Sequence, residues 1–303
     1  MLVTRKILYI INPIAGTGSS TNIQKRIEQA TTRAGISFKC IPSNAMGNYQ
    51  EVGVRITNEQ FTDVIIAGGD GTVNQVIGAL RHLPIQFGII PIGSGNGLAR
   101  AARIPTSPAA ALTHIFEETG KATDGFLVNK QFACMLSGLG FDATVAHAFA
   151  KQSTRGLLTY TKEVIKNFSR AIPYFFELSI DGQSISLEAY MISVANANQY
   201  GNNFTIAPFA SLQDGLLDII ILPKQHKLSL LWQAGKQLLR LNSPSTISLQ
   251  KEGTKLIHCQ ATMVTIKNKE GALLHIDGDP ATMQTAILIQ VLPQAFRLIR
   301  KSN

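Results

Sequence analysis

Apolar and polar positions alternate in two different textures along this chain. Through the first 120 residues, short apolar runs alternate with longer stretches of helical spacing, the pattern of a parallel sheet flanked by helices. Residues 6–11 read as a strand, followed by the loop Asn12-Pro13-Ile14-Ala15-Gly16-Thr17-Gly18 and a helix over 21–34 that ends near Gly35. A second buried strand spans 63–67, with a glycine-rich turn at 68–72 and a helix from Val73 towards Leu80. A third strand spans 87–91, and its loop, 93–97, leads into a helix at 98–102. Each strand therefore ends in a loop rich in Gly, Asn or Ser. Open α/β sheets bind ligands at the carboxyl ends of their strands, so three such loops side by side predict one site. From about Phe126 the pattern changes. Strand-like runs at 126–128, 132–136, 175–180, 184–195, 217–222, 245–249, 263–267, 273–276 and 286–291 are separated by turns such as Asp181-Gly182 and Asp214-Gly215. This predicts a second, mainly antiparallel domain, interrupted by helices near 144–171 and 228–241.

Composition narrows the class. A chain of 303 residues, 45% hydrophobic and 16% charged, can fill a substantial core and is not a disordered polypeptide. Cys40, Cys134 and Cys259 form no CxxC pair, which excludes a disulfide scaffold and suits reduced thiols in the cytosol. No apolar run approaches the roughly 18 residues of a membrane span. Arg5 and Lys6 ahead of residues 7–11 imitate a secretory signal, but the run is short and no cleavage site follows; a buried first strand is the better reading. The net charge of +9 is uneven: residues 221–270 carry eight Lys/Arg against Glu252 and Glu270. Such a surface attracts phosphorylated ligands, acidic lipid headgroups or nucleic acid. Nucleic acid fits least, because the stretch has one aromatic, Trp232, and no base-reading motif. The six histidines show no zinc-ligand spacing.

The strongest local signal is Gly68-Gly69-Asp70-Gly71-Thr72. Glycines let backbone N–H groups converge on an anion, and a following helix adds its dipole. Asp70 would repel a phosphate unless Mg²⁺ bridges the two. Taken alone, such a turn is as well explained by a tight strand-to-helix connection; an embedded Asp after a buried strand favours the ligand. Pro91-Ile92-Gly93-Ser94-Gly95-Asn96-Gly97 is a second glycine loop, and Asn12 with Gly16 and Gly18 a third. None matches GxxxxGK[ST] or GxGxxG. Together they argue for a nucleotide. Asp277-Gly278-Asp279 follows an apolar run and presents two carboxylates around a glycine; one could take the proton of an attacking hydroxyl, although an Asp-Gly hairpin turn is the commoner meaning of such a triplet. Asp214 opens a turn where a carboxylate and backbone carbonyls could hold a hard cation. The segment 228–241 is amphipathic, which a helix packed on its own sheet explains best; the alternative is an interfacial segment with Trp232, Lys236 and Arg240 as anchors on an anionic membrane.

In order, Asn12-Pro13…Gly16, Gly68 to Asn74, Pro91 to Asn96, Gly138-Leu139-Gly140-Phe141-Asp142-Ala143, Asp214-Gly215-Leu216-Leu217-Asp218 and Asp277-Gly278-Asp279 resemble the lipid kinases that share the diacylglycerol kinase catalytic domain, sphingosine kinases included. The resemblance implies an ATP-binding α/β domain over residues 1–123, completed by a returning tail at 294–303, and a β-sandwich lipid-substrate domain over 124–293. It places ATP against Asn12, Pro13, Gly16, Gly68, Gly69, Asp70, Gly71, Thr72, Val73, Asn74 and Ser94. The family's Thr contact falls on a stretch reading Cys40-Ile41-Pro42-Ser43, where only Ser43 offers a hydroxyl. It implies a structural Mg²⁺ on Asp214 and the carbonyls of Ser211 and Leu216, linked to the active site through Asp124. Asp70, Asp277 and Asp279 are the expected catalytic carboxylates. The family usually has Asp-Gly-Glu at the last motif, so Asp277 is expected as the base, with Asp279 as its rival. The implied activity is ATP- and Mg²⁺-dependent phosphorylation of diacylglycerol or a related neutral lipid by a cytoplasmic protein that visits the inner membrane surface, with a homodimer as the family's assembly. A sphingoid-base kinase, favoured by the Gly-Ser-Gly-Asn loop, an NAD kinase-like enzyme and a non-catalytic nucleotide or lipid sensor are the alternatives.

Overall fold

A computed structural model describes residues 5–15, 20–152, 157–201, 204–205, 207–225 and 256–301. Gly16, Gly18, the basic amphipathic segment 228–241 with Trp232 and Lys236, and the strand expected at 245–249 lie outside the described residues. The first half runs β1 (Lys6–Ile11), α1 (Ser20–Arg33), β2 (Ser37–Pro42), α2 (Gln50–Asn58), β3 (Asp63–Gly68), α3 (Asp70–Leu80), β4 (Gln86–Pro91), α4 (Gly97–Ala101) and α5 (Pro108–Glu117). These strands form a parallel array in the order β4-β3-β1-β2. Because β2 leaves β1 on one side and β3 joins it on the other, the order reverses at β1, where the crevice of such a sheet opens.

The period-2 pattern explains why both faces are covered. Leu8, Ile10, Val64, Ile66, Phe87 and Ile89 face a core with Val73, Val76 and Ile77 of α3. Ile7, Tyr9, Ile65, Ala67 and Ile90 face the opposite core with Ile27 of α1 and Leu112 and Ile115 of α5. The apolar run after Arg5 and Lys6 is thus an interior strand of a sheet.

The second half contains β5 (Gly120–Val128), β6 (Gln131–Ala133), β7 (Leu136–Gly140), α6 (Phe141–Ala150), α7 (Leu157–Phe168), β8 (Tyr174–Ile180), β9 (Gln183–Ala195), β10 (Gln199–Gly201), β11 (Phe204–Thr205), β12 (Leu217–Pro223), β13 (Ile257–Ala261), β14 (Met263–Lys267), β15 (Leu274–Ile276), β16 (Asp279–Ala281) and β17 (Ala286–Ile299). Apart from one parallel contact, its pairings are antiparallel, and Phe126, Phe176, Leu178, Ile192, Val194, Ile219, Val264, Ile266, Ile287 and Ile289 fill its core. The fold is therefore a parallel α/β unit joined to an antiparallel β-rich unit. The joint is β17. Its first half pairs with β14 and β5; after an irregularity between Leu292 and Phe296 it continues along β5 and sets Leu298 opposite Phe87 of β4.

The pattern reading has no counterpart for several elements, β2, α2 and α5 among them, and three further details differ. The single helix expected over 144–171 is two, α6 and α7, packed together through the ring pairs Phe141–Phe168 and Phe149–Tyr160. The run 132–136 is split between β6 and β7, and the residues between the strands have another task, described below. α3 begins at Asp70 rather than Val73, with Gly69 as its N-cap.

Candidate active site

The carboxyl ends of β1, β3 and β4 bring their loops together by backbone contact. The Cβ of an alanine at Gly93 would stand 2.5 Å from Gly69 Cα, and one at Gly69 would stand 3.2 Å from Gly93 Cα. Two loops can approach this closely only where neither carries a side chain. Asn12 completes the group: its amide nitrogen donates to Thr72 Oγ1 at 2.8 Å, its backbone N–H to Ala67 O at 2.8 Å, and its Oδ1 accepts from Ile14 N. Asn96, at φ 54°, both accepts from Gly93 N and donates to Gly93 O. Gly69 at the N-cap of α3 offers no side chain to cap the first turn, so the leading N–H groups of an 11-residue helix face the crevice, the arrangement that binds anions. Inside that helix the amide oxygen of Asn74 is buried without a hydrogen-bond partner. We expect Gly93→Ala to force the loops apart and to weaken nucleotide binding by at least tenfold, with a lower melting temperature; calorimetric titration with ATP and a thermal melt check both effects.

Asp70 turns towards α4. Its Oδ1 accepts from Leu98 N at 3.4 Å, and the amides of Asn96 and Gly97 also donate to it. Burial raises its pKa to about 6; these amides oppose the rise and the charge of Asp277 adds to it. The charge of Asp277 of the second unit is thus felt at the half-buried Asp70 of the first, and neither forms an ion pair among the described residues.

Asp277 and Gly278, at φ 49° and 85°, form the two-residue turn of the β15–β16 hairpin, the left-handed pair that such turns require. The carboxylate of Asp277 points inward. Oδ1 accepts from Met135 N and Leu136 N, and Oδ2 from Cys134 N, each at 2.9 Å, with Cys134 Sγ at 3.4 Å. Burial pushes its pKa up against the lowering effect of these donors. The gap between β6 and β7 is therefore the cradle of this carboxylate. Asp279, one residue beyond the turn, is exposed, and a Cβ at Gly71 would stand 3.5 Å from its Oδ2. The acidic hairpin of the second unit thus meets the glycine turn of the first. Beneath it His275 Nδ1 accepts from Gly278 N at 3.3 Å, its Nε2 lies 3.3 Å from Asp142 Oδ2, and Ser193 Oγ donates to the same oxygen. Sequence reasoning did not single out Cys134, Ser193 or His275. Asp142 stood within a quoted motif without a role.

Other predicted residues fall into place unevenly. Ser43, at the carboxyl end of β2, is half-buried and donates its backbone N–H to Ile11 O. Ser94 and Pro13 are exposed on the loop surface. The side chain of Val73 lies in the hydrophobic core, and its N–H is taken by Gly69 O, so neither is directed at a ligand. Asp124 uses both carboxylate oxygens on backbone amides, Gly215 N at 2.8 Å and Gln294 N at 2.7 Å, pinning the turn before β12 to the irregularity in β17. Asp214 is largely exposed, its Oδ1 accepts from Leu216 N at 3.1 Å, and its pKa is raised by partial desolvation of the carboxyl and by the charges of Asp218 and Asp124. Ser211 and Leu216 flank it. Among the described residues no group of three or more His, Cys, Asp or Glu side chains has a metal-binding arrangement, so a cation here would rest on Asp214 and carbonyl oxygens. A cavity of about 510 Å³ opens between α2 and the far end of α3 and includes none of the predicted residues.

This ordered set of loops can be compared with known proteins. The diacylglycerol kinase catalytic domain matches residues 6–128, and the YegS C-terminal NAD kinase beta sandwich-like domain matches residues 136–300. The chain belongs to this diacylglycerol kinase and YegS-type family. A diacylglycerol kinase of Bacillus subtilis (strain 168) is 25% identical over 89% of this chain and 88% of its own length. A probable lipid kinase YegS-like protein of Chromohalobacter salexigens is 28% identical over 75% of this chain and 74% of its own. The solved structure of a diacylglycerol kinase from Bacillus anthracis str. Sterne aligns over 99% of this chain and 98% of that one, with a TM-score of 0.75 at 21% identity, a likeness of fold. The family match covers both units and every motif described above except Asn129 to Met135, the stretch whose end cradles Asp277.

Proposed function

We propose that this family member is an ATP-dependent lipid kinase that transfers the γ-phosphate to the hydroxyl of diacylglycerol or a related neutral lipid. The observation that carries the reading is the meeting of Asp279 and Asp277 with Gly71 and Asp70 across the junction of the two units. One side offers converging N–H groups for phosphate oxygens; the other offers carboxylates for a hydroxyl proton.

The residues present fit a nucleotide and a divalent cation. The glycine cradle would fill with any side chain, the first turn of α3 is uncapped, and the half-buried Asp70 and buried Asp277 interact electrostatically with no ion-pair partner among the described residues. Asn12, Gly69, Gly71 and Thr72 would hold the phosphates, and Asp70 would face the cation. Mg²⁺, when bound there, supplies neutralisation of the phosphate charge.

Sequence reasoning placed Asp277 first as the base; the geometry favours its rival. Both carboxylate oxygens of Asp277 already accept from Cys134, Met135 and Leu136, so taking up a proton would compete with hydrogen bonds that hold the hairpin. Asp279 is solvent-accessible beside the glycine turn and can accept the proton of the acceptor hydroxyl. As the proton leaves, the hydroxyl oxygen bonds to the γ-phosphorus and the bridging P–O bond to the β-phosphate breaks, leaving ADP and a phosphomonoester. His275 and Asp142 hold Gly278 and thereby the angle at which Asp279 is presented.

Incubation with labelled ATP and separate pools of diacylglycerol, sphingoid base and NAD tests the reading. Labelled phosphatidate supports it. A sphingoid phosphate would move the substrate class, NADP would side with the NAD kinase-like name of the C-terminal domain, and no product at all would leave a sensor.

A water-insoluble acceptor has to be met at a membrane. Among the described residues no helix is long and apolar enough to cross one. The outer face of α7 and the turn after it carries Lys162, Lys166 and Arg170 around Ile165 and Ile172, the two isoleucines 70% and 58% exposed, a combination suited to an anionic lipid surface. The double variant Lys162→Glu, Lys166→Glu is expected to sediment several-fold less with anionic vesicles, and unchanged sedimentation would remove this face from consideration.

A further inference from the structure

A second cavity, about 180 Å³, belongs neither to the glycine cradle nor to the acidic hairpin. Its walls include Arg103 beyond the end of α4, Asn198, Ser211 and Gln213 before β12, and Arg300 just past β17. Arg300 is only 4% exposed. Its Nη2 donates to Ala122 O at 3.2 Å and Gln213 Oε1 at 2.8 Å, and its Nε is buried with no hydrogen-bond partner. Both acceptors are neutral. The nearest acidic influence is Asp124, whose two oxygens are already engaged by Gly215 and Gln294. Among the described residues Arg300 forms no ion pair, and neither does Arg103.

A buried guanidinium served only by neutral oxygens is costly, because desolvation of a charge is normally offset by an opposite charge. Arg103, exposed and held at φ 56°, adds a second guanidinium at the rim of the same cavity. The Asn198 amide oxygen is likewise buried without a partner. Amide oxygen and nitrogen are interchangeable in such an assignment, so this side chain can offer N–H groups instead. At about 30 Å³ per water, the space takes a tetrahedral oxyanion with a few waters and is too small for a nucleotide. Guanidinium forks match phosphate oxygens in pairs.

We propose that this cavity binds a phosphate group, either free orthophosphate or the phosphomonoester of a lipid headgroup, with Arg300 at its floor, Arg103 at its rim, and Ser211 and Asn198 as further donors. The occupant would join α4, whose first turn holds Asp70, to the turn before β12 and to the end of β17. It would therefore brace the two units against each other from outside the catalytic cleft.

The test is binding, and its outcome is independent of whether the protein transfers phosphate. Orthophosphate is titrated into the whole protein at pH 7.5 by calorimetry and by thermal shift, in wild type, Arg103→Glu and Arg300→Gln. Wild type is expected to bind and to melt at a higher temperature with phosphate. Arg103→Glu, an exposed change that leaves the fold intact, is expected to bind at least tenfold more weakly, and Arg300→Gln to lose the response. A lysophosphatidate below its aggregation threshold forms the second arm: tighter binding than orthophosphate assigns the site to a lipid headgroup, and equal binding assigns it to the free ion. Orthophosphate affinity that is the same in wild type and Arg103→Glu would place the ion in the glycine cradle and overturn the proposal, as would no uptake by the wild type.

Discussion

Changing Asp279 to asparagine is expected to lower kcat by roughly 10²- to 10⁴-fold, the scale of a lost general base, while nucleotide KM and melting temperature stay near wild type. The side chain is exposed, so the change carries no burial cost of its own. Asp277→Asn is expected to fail for another reason. The amide would turn an N–H towards backbone donors from Cys134, Met135 or Leu136. Each unsatisfied buried donor costs about 1–3 kcal/mol, which should appear as a fall of several degrees in melting temperature. Turnover should drop in both variants, but only Asp279→Asn should lose it from a protein that melts normally. Wild-type turnover in Asp279→Asn would remove that residue from the chemistry and return the role to Asp277.

The second large effect is at Asp70. Asp70→Asn is expected to reduce turnover by about three orders of magnitude and to abolish a fall in the ligand-free protein's stability between about pH 4 and 6. The sign follows from the folded-state pKa of about 6, raised above the ordinary 3.8 by burial and by Asp277. Between those values the folded chain holds more protons than the unfolded one, so this group's contribution to stability falls as pH rises from about 4 through about 6 and is level above. Asparagine carries no charge to bury and should remove that slope. Mg²⁺ should raise the wild-type melting temperature more at pH 7.5 than at pH 5, where Asp70 is largely protonated, and should have little effect on Asp70→Asn. Activity should decline as pH falls through about 6. A Mg²⁺ response equal at both pH values, or retained in Asp70→Asn, would place the cation elsewhere.

What could be read directly from the chain was local. The strands at β1, β3 and β4 stand out because they are buried on both faces and end in loops with glycine. The Asp277-Gly278 hairpin is legible as a turn because few pairs besides Asp-Gly accept two left-handed conformations in succession. β2 was harder: it is an edge strand, its residues alternate between half-buried and exposed, and it ends at Pro42. The start of α3 was misplaced by three residues because glycine is a weak helix former, although Gly69 serves as its cap. The fate of each carboxylate could not be read at all. Asp277 meets amides more than 140 residues earlier, His275 meets Asp142 133 residues away, and Arg300 meets Gln213 across 87. Such partners are set by how the sheets stack, which single-chain spacing does not encode. That is why two aspartates of similar promise, separated by one glycine, end up one buried and the other exposed.

The shared strand β17 has a consequence for engineering. Fourteen residues at the end of the chain line the antiparallel core at one end and border β4 at the other, with the bend fastened by Asp124. The halves are therefore not exchangeable modules: a chimaera that grafts the front of one relative onto the back of another inherits a final strand tailored to the wrong neighbour. Successful recombination would have to transplant the last few residues of β17 together with the parallel sheet they border, so that the crossover points number two rather than one.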